Sequence, residues 1–503
     1  MPGGWPHFMG SVEILKIYRS LLASNSSYFP QNLKVNFPKS QNGRTRPNSV
    51  SIEDAFFGDS GKGRVVAELN HLLGKKKKIY SLRYNGGANA GHECLMEGKV
   101  VNVHQLPMAI IQEGAVAIIG RGMVIHPNDL LTEVGQISEK FGGSLPGKLI
   151  IDERVLLSLD THRALEATFN QYTTGGRGST GRGIAAGYAS FYERIVLTMK
   201  DLMADNWKEQ LRQHYRLYQK LIKGFKGETG LEETPVAAMD NQKWERHTVG
   251  TEKEFLKRLS FSRGKLKKYV SAAVFYLLGQ TWGDPKIPFT IEGAQGAGLD
   301  PYHGVYPDVT ASRPMSRNIN DSTYNVILPE EIFLKLAAMK TTYLSSVGQR
   351  RLPTVKDESY EKWVQKTFDE RGRSTGRLRD IYPISLPIAD YLKRAAGYQF
   401  LVATHLDASQ KDKPIRVITH YTEKKTGKEA PYLPYQDYLD KLEAHLVEFP
   451  GWDGQAVKKA QSPKDLPRTT RLYLEFLNQT IAPVALGTGG PEVGSYLSWL
   501  ADF

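Results

Sequence analysis

The 503-residue sequence contains a single cysteine, Cys94. No intramolecular disulfide and no cysteine-only zinc site can form, and a reducing compartment is the matching environment. Long apolar runs are also missing: Val116 to Ile119 ends at once in Gly120 and Arg121, and no window approaches the ~20 uninterrupted apolar residues that a bilayer crossing needs. A membrane-spanning protein is excluded, no membrane partner is expected, and the expected location is cytoplasmic. Acid is scarce in the first 48 residues, where Glu13 stands against six basic side chains. Little there can build a core, so residues 1–48 read as a basic, flexible extension containing one short amphipathic helix, Val12 to Leu22. Its serines and missing acids faintly resemble an organelle transit peptide, which would change the location to an organelle.

The rest has globular proportions, with a hydrophobic share of 40%, a charged share of 24% and a mean hydropathy of −0.40. The net charge of +13 and a pI near 9.3 favour anionic partners. The one dense basic run, Lys75 to Lys78, lacks interleaved aromatics and reads as a solvated loop, so no nucleic-acid partner is expected. Small phosphorylated substrates fit the same charge.

From residue 49 onward the pattern is one of short apolar runs that end in glycine turns, each followed by helical periodicity: Val50 to Phe57 before Gly58, Ile79 to Tyr84 before Gly86, Val116 to Ile119 before Gly120, and Pro288 to Ile291 before Gly293. This predicts an α/β fold with a large, mostly parallel central sheet and flanking helices in a single catalytic domain, 49–503. Its ligand loops lie at the strands' carboxyl ends. Residues 203–280 read as a helical excursion (Trp207 to Phe225, Glu252 to Leu278) with a polar linker at Gly227 to Asn241. Residues 328–503 mix helices such as Glu330 to Ala338 with strands such as Phe400 to Thr404 and Ile415 to Tyr421.

Four loops carry chemistry. Gly58-Asp59-Ser60-Gly61-Lys62-Gly63-Arg64 precedes a helix, where backbone N–H groups and a lysine suit phosphate. It is not a standard P-loop, because Gly63 stands at the Ser/Thr position; a ligand-free glycine turn is an equally good reading of that segment alone. Asn85-Gly86-Gly87-Ala88-Asn89-Ala90-Gly91-His92 supplies an amide and an imidazole suited to proton transfer. Gly178 to Gly183 combines hydroxyls with an arginine fork, and Glu292-Gly293-Ala294-Gln295-Gly296 offers an amide able to read a base edge.

Taken together and in order, these segments resemble the adenylosuccinate synthetases, a P-loop-NTPase-like fold of GTP-dependent ligases. The resemblance continues through His303-Gly304, Tyr306-Pro307, Val309-Thr310, Ser374-Thr375-Gly376-Arg377, Leu406-Asp407, Pro450-Gly451-Trp452 and Thr488-Gly489. It implies a ligase that joins L-aspartate to the 6-position of IMP with GTP hydrolysis and Mg²⁺, through a 6-phosphoryl intermediate. By the resemblance Asp59 and His92 are catalytic, and Asp59 with the Gly91 carbonyl holds the metal. Gly58, Ser60, Gly61, Lys62, Gly63, Arg64, Arg379, His405, Asp407, Gly487, Thr488 and Gly489 fall at nucleotide-binding positions. Asn89, Ala90, Thr180, Gln295, Thr310 and Arg377 match the purine monophosphate site, joined by Arg194 from the neighbouring subunit of a homodimer. Arg373, Ser374, Thr375, Gly376 and Arg377 match the loop that closes on aspartate.

The chain departs from the family pattern at Ser60, where Glu is common, at His405 in place of Lys, and at Glu93, an acid beside expected phosphates. It departs again at Ala311 to Ser316 and at Leu378. These changes, with Asp54-Ala55-Phe56-Phe57, resemble a phage branch that makes 2-aminoadenylosuccinate from dGMP, so dGMP or GMP with ATP or GTP is the alternative. A non-catalytic nucleotide-binding protein is the third reading, disfavoured by the presence of Asp59, Lys62 and His92.

Overall fold

The computed structural model describes residues 9–23, 46–74, 78–172, 179–226, 230–240, 243–346, 348–371 and 378–499. Its centre is a ten-stranded sheet: β1 (Arg46–Asp54), β2 (Tyr80–Arg83), β3 (Val116–Ile119), β4 (Lys148–Asp152), β5 (Val270–Ser271), β6 (Phe289–Glu292), β7 (Ile332–Lys340), β8 (Phe400–Thr404), β9 (Val484–Gly487) and β10 (Leu497–Ser498). The spatial order is β5-β4-β3-β2-β6-β1-β7-β8-β9-β10. Every neighbouring pair is parallel except β9–β10.

A parallel sheet is covered on both faces, so its strands carry apolar residues on both sides. In β8, Phe400 and Val402 join one core cluster while Leu401 and Ala403 join the other. In β7, Leu334, Leu336 and Ala338 alternate in the same way with Ala337 and Met339. The helices Lys62–Gly74 and Pro127–Lys140 contribute to the first cluster, and Leu386–Ala396 and Arg468–Thr480 to the second.

Three expectations need correction. Residues 330–338 do not form an α-helix: one 3₁₀ turn, Pro329–Glu331, leads at Ile332 into strand β7, which lies between β1 and β8. A short run that is apolar on every side cannot be told from a buried helix by periodicity, and here the two-sided burial decides. The presumed linker 227–241 contains a strand, Pro235–Asp240, paired antiparallel with Lys243–Thr248. The helix expected over 252–278 stops at Leu266 and gives way to β5, the sheet's edge strand, before Val274–Gly283.

Part of the N-terminal extension is folded. Ser11–Ala23 is a helix whose Ile14, Ile17, Tyr18 and Leu21 share one face at i, i+3, i+4 and i+7, with Ile14 and Leu21 buried against the second cluster. Arg46 to Asn48 already belong to β1, and residues 1–8 and 24–45 lie outside the described residues, as do Lys75 to Lys77.

The central position of β7 has a measurable consequence. Leu336 is fully buried between two parallel neighbours, so Leu336→Ala is expected to lower unfolding stability by about 3 kcal/mol, read as a shifted midpoint in chemical denaturation.

Candidate active site

The loops that the sequence singled out gather at the carboxyl ends of β1, β2, β6, β8 and β9. The first is organised by a residue outside the glycine motif. Asp54, the last residue of β1, is completely buried, and its Oδ1 accepts from the N–H groups of Phe56 (3.0 Å) and Gly58 (3.2 Å). Its Oδ2 accepts from Ser60 N–H (3.0 Å) and from Lys62 Nζ (3.3 Å). The carboxylate therefore coils residues 55–61 around itself. Gly58 and Gly61 take positive φ (93° and 75°), and so does Asp59 at 59°. Three loop amides are used internally, which leaves for an anion the first-turn N–H groups of the helix beginning at Lys62, since these have no intrahelical partner.

Gly63 has a steric reason for lacking the hydroxyl of a standard P-loop. A Cβ there would lie 2.7 Å from His92 Cβ and 2.8 Å from the Glu93 nitrogen. The first and second loops are thus in direct backbone contact. His92 is buried, and its Nδ1–H donates to Glu292 Oε1 at 2.5 Å, while Glu292 Oε2 accepts from Met108 N–H at 2.8 Å. Burial lowers the His92 pKa below the ordinary imidazole value, helped by the charges of Arg83 and Lys62 and opposed by Glu292. Burial alone would raise the Glu292 carboxyl, but His92 and Arg83 more than offset it and hold it below its usual range. Glu93 follows His92 on the strand His92–Met96, so its side chain points to the opposite face from the imidazole.

Asp59 has a carboxylate about one-third exposed (34%) that pairs with Arg379 Nη2 at 2.8 Å. Arg379 Nη1 reaches Glu370 Oε2 at 2.6 Å, and Glu370 Oε1 accepts from Lys340 Nζ (2.5 Å) and from the Tyr343 hydroxyl (2.6 Å). Burial opposes ionisation of Glu370, yet Lys340 and Arg379 bring its pKa down to about 2. Four alternating charges thus lead from the sheet to Asp59. Glu370 and Arg379 also flank the segment 372–377: Arg379 N–H donates to the Glu370 carbonyl, and Arg371 bridges Leu378. Arg373, Ser374, Thr375, Gly376 and Arg377, expected to contact aspartate, lie outside the described residues.

The purine monophosphate candidates converge from three loops. Asn85 joins the second loop to the fourth, donating from Nδ2 to the Ala294 carbonyl (3.1 Å) and accepting from Ala294 N–H (2.8 Å). Gln295, in a positive-φ conformation, receives the Ser312 hydroxyl at 2.7 Å on Oε1, and its buried Nε2 has no partner among the described residues. Thr310 Oγ1 lies 3.2 Å from Ser312 Oγ. Asn89 Oδ1 accepts from Gly87 N–H, and the Ala90 carbonyl accepts from His104 Nδ1–H at 2.5 Å. His104 packs edge-on against Trp244 of the 235–248 hairpin, and Arg182 stacks on that same ring 3.1 Å from its centroid. Arg182 is buried, which brings its pKa down to about 9 with the help of Arg163. Thr180, half-buried, sits at the head of this segment, where Glu166 holds the Ser179 hydroxyl and Gly183 N–H.

The base-binding candidates form a separate wall. Thr404 Oγ1 donates to the Ser60 carbonyl at 2.9 Å, and His405 packs on Gly61, where a Cβ would be 3.6 Å from its Cε1. Burial and the charge of Lys340 bring the His405 pKa down to about 4. Asp407 pairs with Lys458 at 3.3 Å, Thr488 accepts from Leu406 N–H, and Gly489 abuts Val457. Gly487 packs between Leu406 and Trp499. Two candidates point elsewhere. Arg64 pairs with Glu68 and donates to the carbonyls of Glu492 and Ser495, tying the helix to the C-terminal segment, and Arg194 lies exposed at φ 62° just after the helix Ile184–Tyr192.

A family model described as adenylosuccinate synthetase matches residues 52–495. The chain belongs to the adenylosuccinate synthetase family. It is a ligase of that family, forming a carbon–nitrogen bond. The adenylosuccinate synthetase of Chlorobaculum tepidum is 29% identical over 453 residues, covering 89% of this chain and 97% of that protein. That of Thermus thermophilus is 30% identical over 446 residues, covering 88% and 97%. A fully ligated adenylosuccinate synthetase from Plasmodium falciparum overlays with a TM-score of 0.76 at 22% identity, covering 90% of this chain and 99% of that one. This overlay establishes a common fold, with the large parallel sheet that the sequence implied.

Sequence reasoning gave no role to Asp54, Glu370, Lys340 or Trp244. Asp54 carried a signal, an acid closing a buried strand just before a glycine turn; the other three become neighbours of the site only through long-range folding. Asp54→Asn replaces an acceptor with an NH₂ that faces the donors Ser60 N–H and Lys62. Breaking this buried pair is expected to cost about 3 kcal/mol, measured by thermal and denaturant unfolding, and to weaken triphosphate binding by at least about tenfold in direct titration.

Proposed function

We propose that this family member joins L-aspartate to C6 of IMP at the expense of GTP. The observation that carries the reading is the meeting of Asp59, Lys62 and His92 within one structure built from two adjoining loops, with Gln295 and Thr310 on its purine side.

In the first step Asp59 takes the N1 proton of the 6-oxopurine, and O6 attacks the γ-phosphorus. The O6–P bond forms as the bond from phosphorus to the β-γ bridging oxygen breaks, leaving GDP. His92, with Nδ1–H held by Glu292, donates from Nε2 to the transferring phosphoryl group as the imidazolium, a form that Glu292 and the incoming phosphoryl charge favour against burial. Lys62 and the helix N-terminus spread its charge. Lys62 must leave Asp54 or share it to do so. In the second step the aspartate amine attacks C6, the C6–O6 bond breaks, inorganic phosphate departs, and the amine loses a proton.

The residues suit Mg²⁺. Mg²⁺ is commonly held by one or two carboxylates plus substrate phosphates, and Asp59 offers one partly exposed carboxylate beside the phosphate loop; by the family resemblance the Gly91 carbonyl would be the second protein oxygen. When bound, the ion would neutralise charge on the triphosphate. Arg379, which pairs with Asp59, would turn to the triphosphate.

Asp407 accepts from guanine N1 and N2, which selects GTP, while Gly487, Thr488 and Gly489 pack on the base. Asn89, Ala90 and Thr180 hold the monophosphate, Arg377 binds a carboxylate, and Arg373 to Gly376 close over aspartate. A homodimer is supported by the exposed cluster around Arg194, where Phe191 (50%), Tyr192 (78%) and Ile195 (37%) present apolar surface. This patch suits an interface that lends Arg194 to a neighbour's monophosphate. Among the described residues no helix is long and apolar enough to cross a membrane.

Purified protein with Mg²⁺, L-aspartate and GTP or ATP should release phosphate with IMP and give a product with the mass of adenylosuccinate. Asp59→Asn should lower kcat by at least about 1,000-fold with little change in IMP binding. A succinylated product from dGMP alone would assign the altered 311–316 wall to the 2-amino purine, and nucleotide binding without any product would leave only a binding protein.

A further inference from the structure

The helix Ser11–Ala23 precedes the residues matched by the family model, which begin at 52, so the catalytic machinery of the family is assembled without it. Yet it is packed onto one specific part of the domain. Ile14 and Leu21 bury in the same cluster that contains Leu406, Phe449, Trp452, Val457, Tyr473 and Trp499. Leu406, Val457 and Trp499 are the side chains against Gly487 and Gly489 in the base-binding wall.

Contacts run continuously from the helix to that wall. The Tyr18 hydroxyl donates to the Glu448 carbonyl at 2.6 Å, and the Tyr18 ring meets Phe449 edge-on at 5.0 Å between centroids. Phe449 meets Tyr473 at 5.2 Å, and Tyr473 meets Trp452 at 5.6 Å. Trp452 Nε1–H then donates to the Leu406 carbonyl at 2.7 Å, one residue before Asp407. Residues 448–454 cannot absorb a shift locally. A Cβ at Gly451 would lie 2.0 Å from the Gln410 carbonyl oxygen, and one at Gly454 would lie 2.1 Å from that of Asp407. The helix start is pinned as well, because the Ser11 hydroxyl and N–H both donate to Glu429.

We infer that the N-terminal helix braces the nucleoside triphosphate's base subsite, with Tyr18 as a positioning residue that acts through Phe449, Tyr473 and Trp452 on Leu406 and Asp407. The inference rests on the reading of Asp407 and 487–489 as that subsite. Undocking the helix loosens the wall that faces the base and leaves the monophosphate side, built from 85–92, 180–183 and 295–312, in place. The expected signature is a selective loss of triphosphate affinity.

The test uses the full-length chain, with GTP and ATP titrated calorimetrically in Mg²⁺ and the KM for each substrate measured in steady state. Ile14→Asp is expected to weaken binding of the triphosphate that the unaltered protein prefers by about tenfold, with KM for the monophosphate and for aspartate within about twofold. Tyr18→Phe keeps the ring and loses the bond to Glu448, and is expected to weaken it by about threefold. Val12→Ser, on the exposed side of the helix, should change nothing. Unchanged triphosphate binding in Ile14→Asp, or a parallel loss for all three substrates, overturns the inference. If Ile14→Asp fails to fold, Tyr18→Phe decides by the same criteria. Failure of the unaltered protein to bind either triphosphate overturns the assignment of the subsite itself, and the brace with it.

Discussion

The site depends on a carboxylate that does no chemistry. Asp54 ends the central strand of the sheet and draws three amides and an ammonium onto its two oxygens. Because it is fully buried, the geometry it imposes is not shared with solvent, and unpairing any of its donors has a high cost. The loop's glycines permit the required turns, and Asp54 selects one arrangement among those that glycine allows. Asp59 then projects from the tip, Ser60 offers its carbonyl to Thr404, and the helix N-terminus opens toward the space where Gly63 and His92 meet. Were that coil relaxed, the contacts from β8 and from the His92 strand would lose their partners together.

Electrostatics explains how so many charged groups remain packed at the sheet's edge. Lys340, Glu370, Arg379 and Asp59 alternate in sign, and His92 is matched by Glu292. Lys340, Glu370 and Arg379 each have an opposite charge at hydrogen-bonding distance, which is the condition for their burial. The outermost member of the chain, Asp59, is the one partly open to solvent, so a ligand can reach it while the inner pairs stay closed. Lys62 and Arg379 are the two cations whose acidic partners, Asp54 and Asp59, belong to the first loop and the strand before it.

Much of this was legible in the sequence, for physical reasons. Glycine turns after apolar runs mark strand ends in a parallel sheet, so the positions of Gly58, Gly86 and Gly293 predicted which loops gather at the strands' carboxyl ends. β8 and β3 were legible because they are short, β-branched or apolar, and bounded by turns. β7 was misread because an apolar run buried on both faces has no period to read. The hairpin carrying Trp244 was missed because the apolar run in its first strand, Val236 to Met239, is short, its second strand is polar apart from Trp244, and its value lies in packing on His104 and Arg182, more than sixty residues away. The amphipathic face of residues 12–22 was visible at once; its docking surface near residues 448–476 was not, because sequence periodicity says that a face exists and not what covers it.

The central claim is that the site activates the purine by phosphorylating its 6-oxygen. IMP carrying ¹⁸O at that position, turned over with GTP, Mg²⁺ and L-aspartate, tests this in one step. The account predicts that every mole of adenylosuccinate formed leaves its ¹⁸O in inorganic phosphate. Label appearing in water, or phosphate free of it, would contradict the mechanism even if the succinylated product were made.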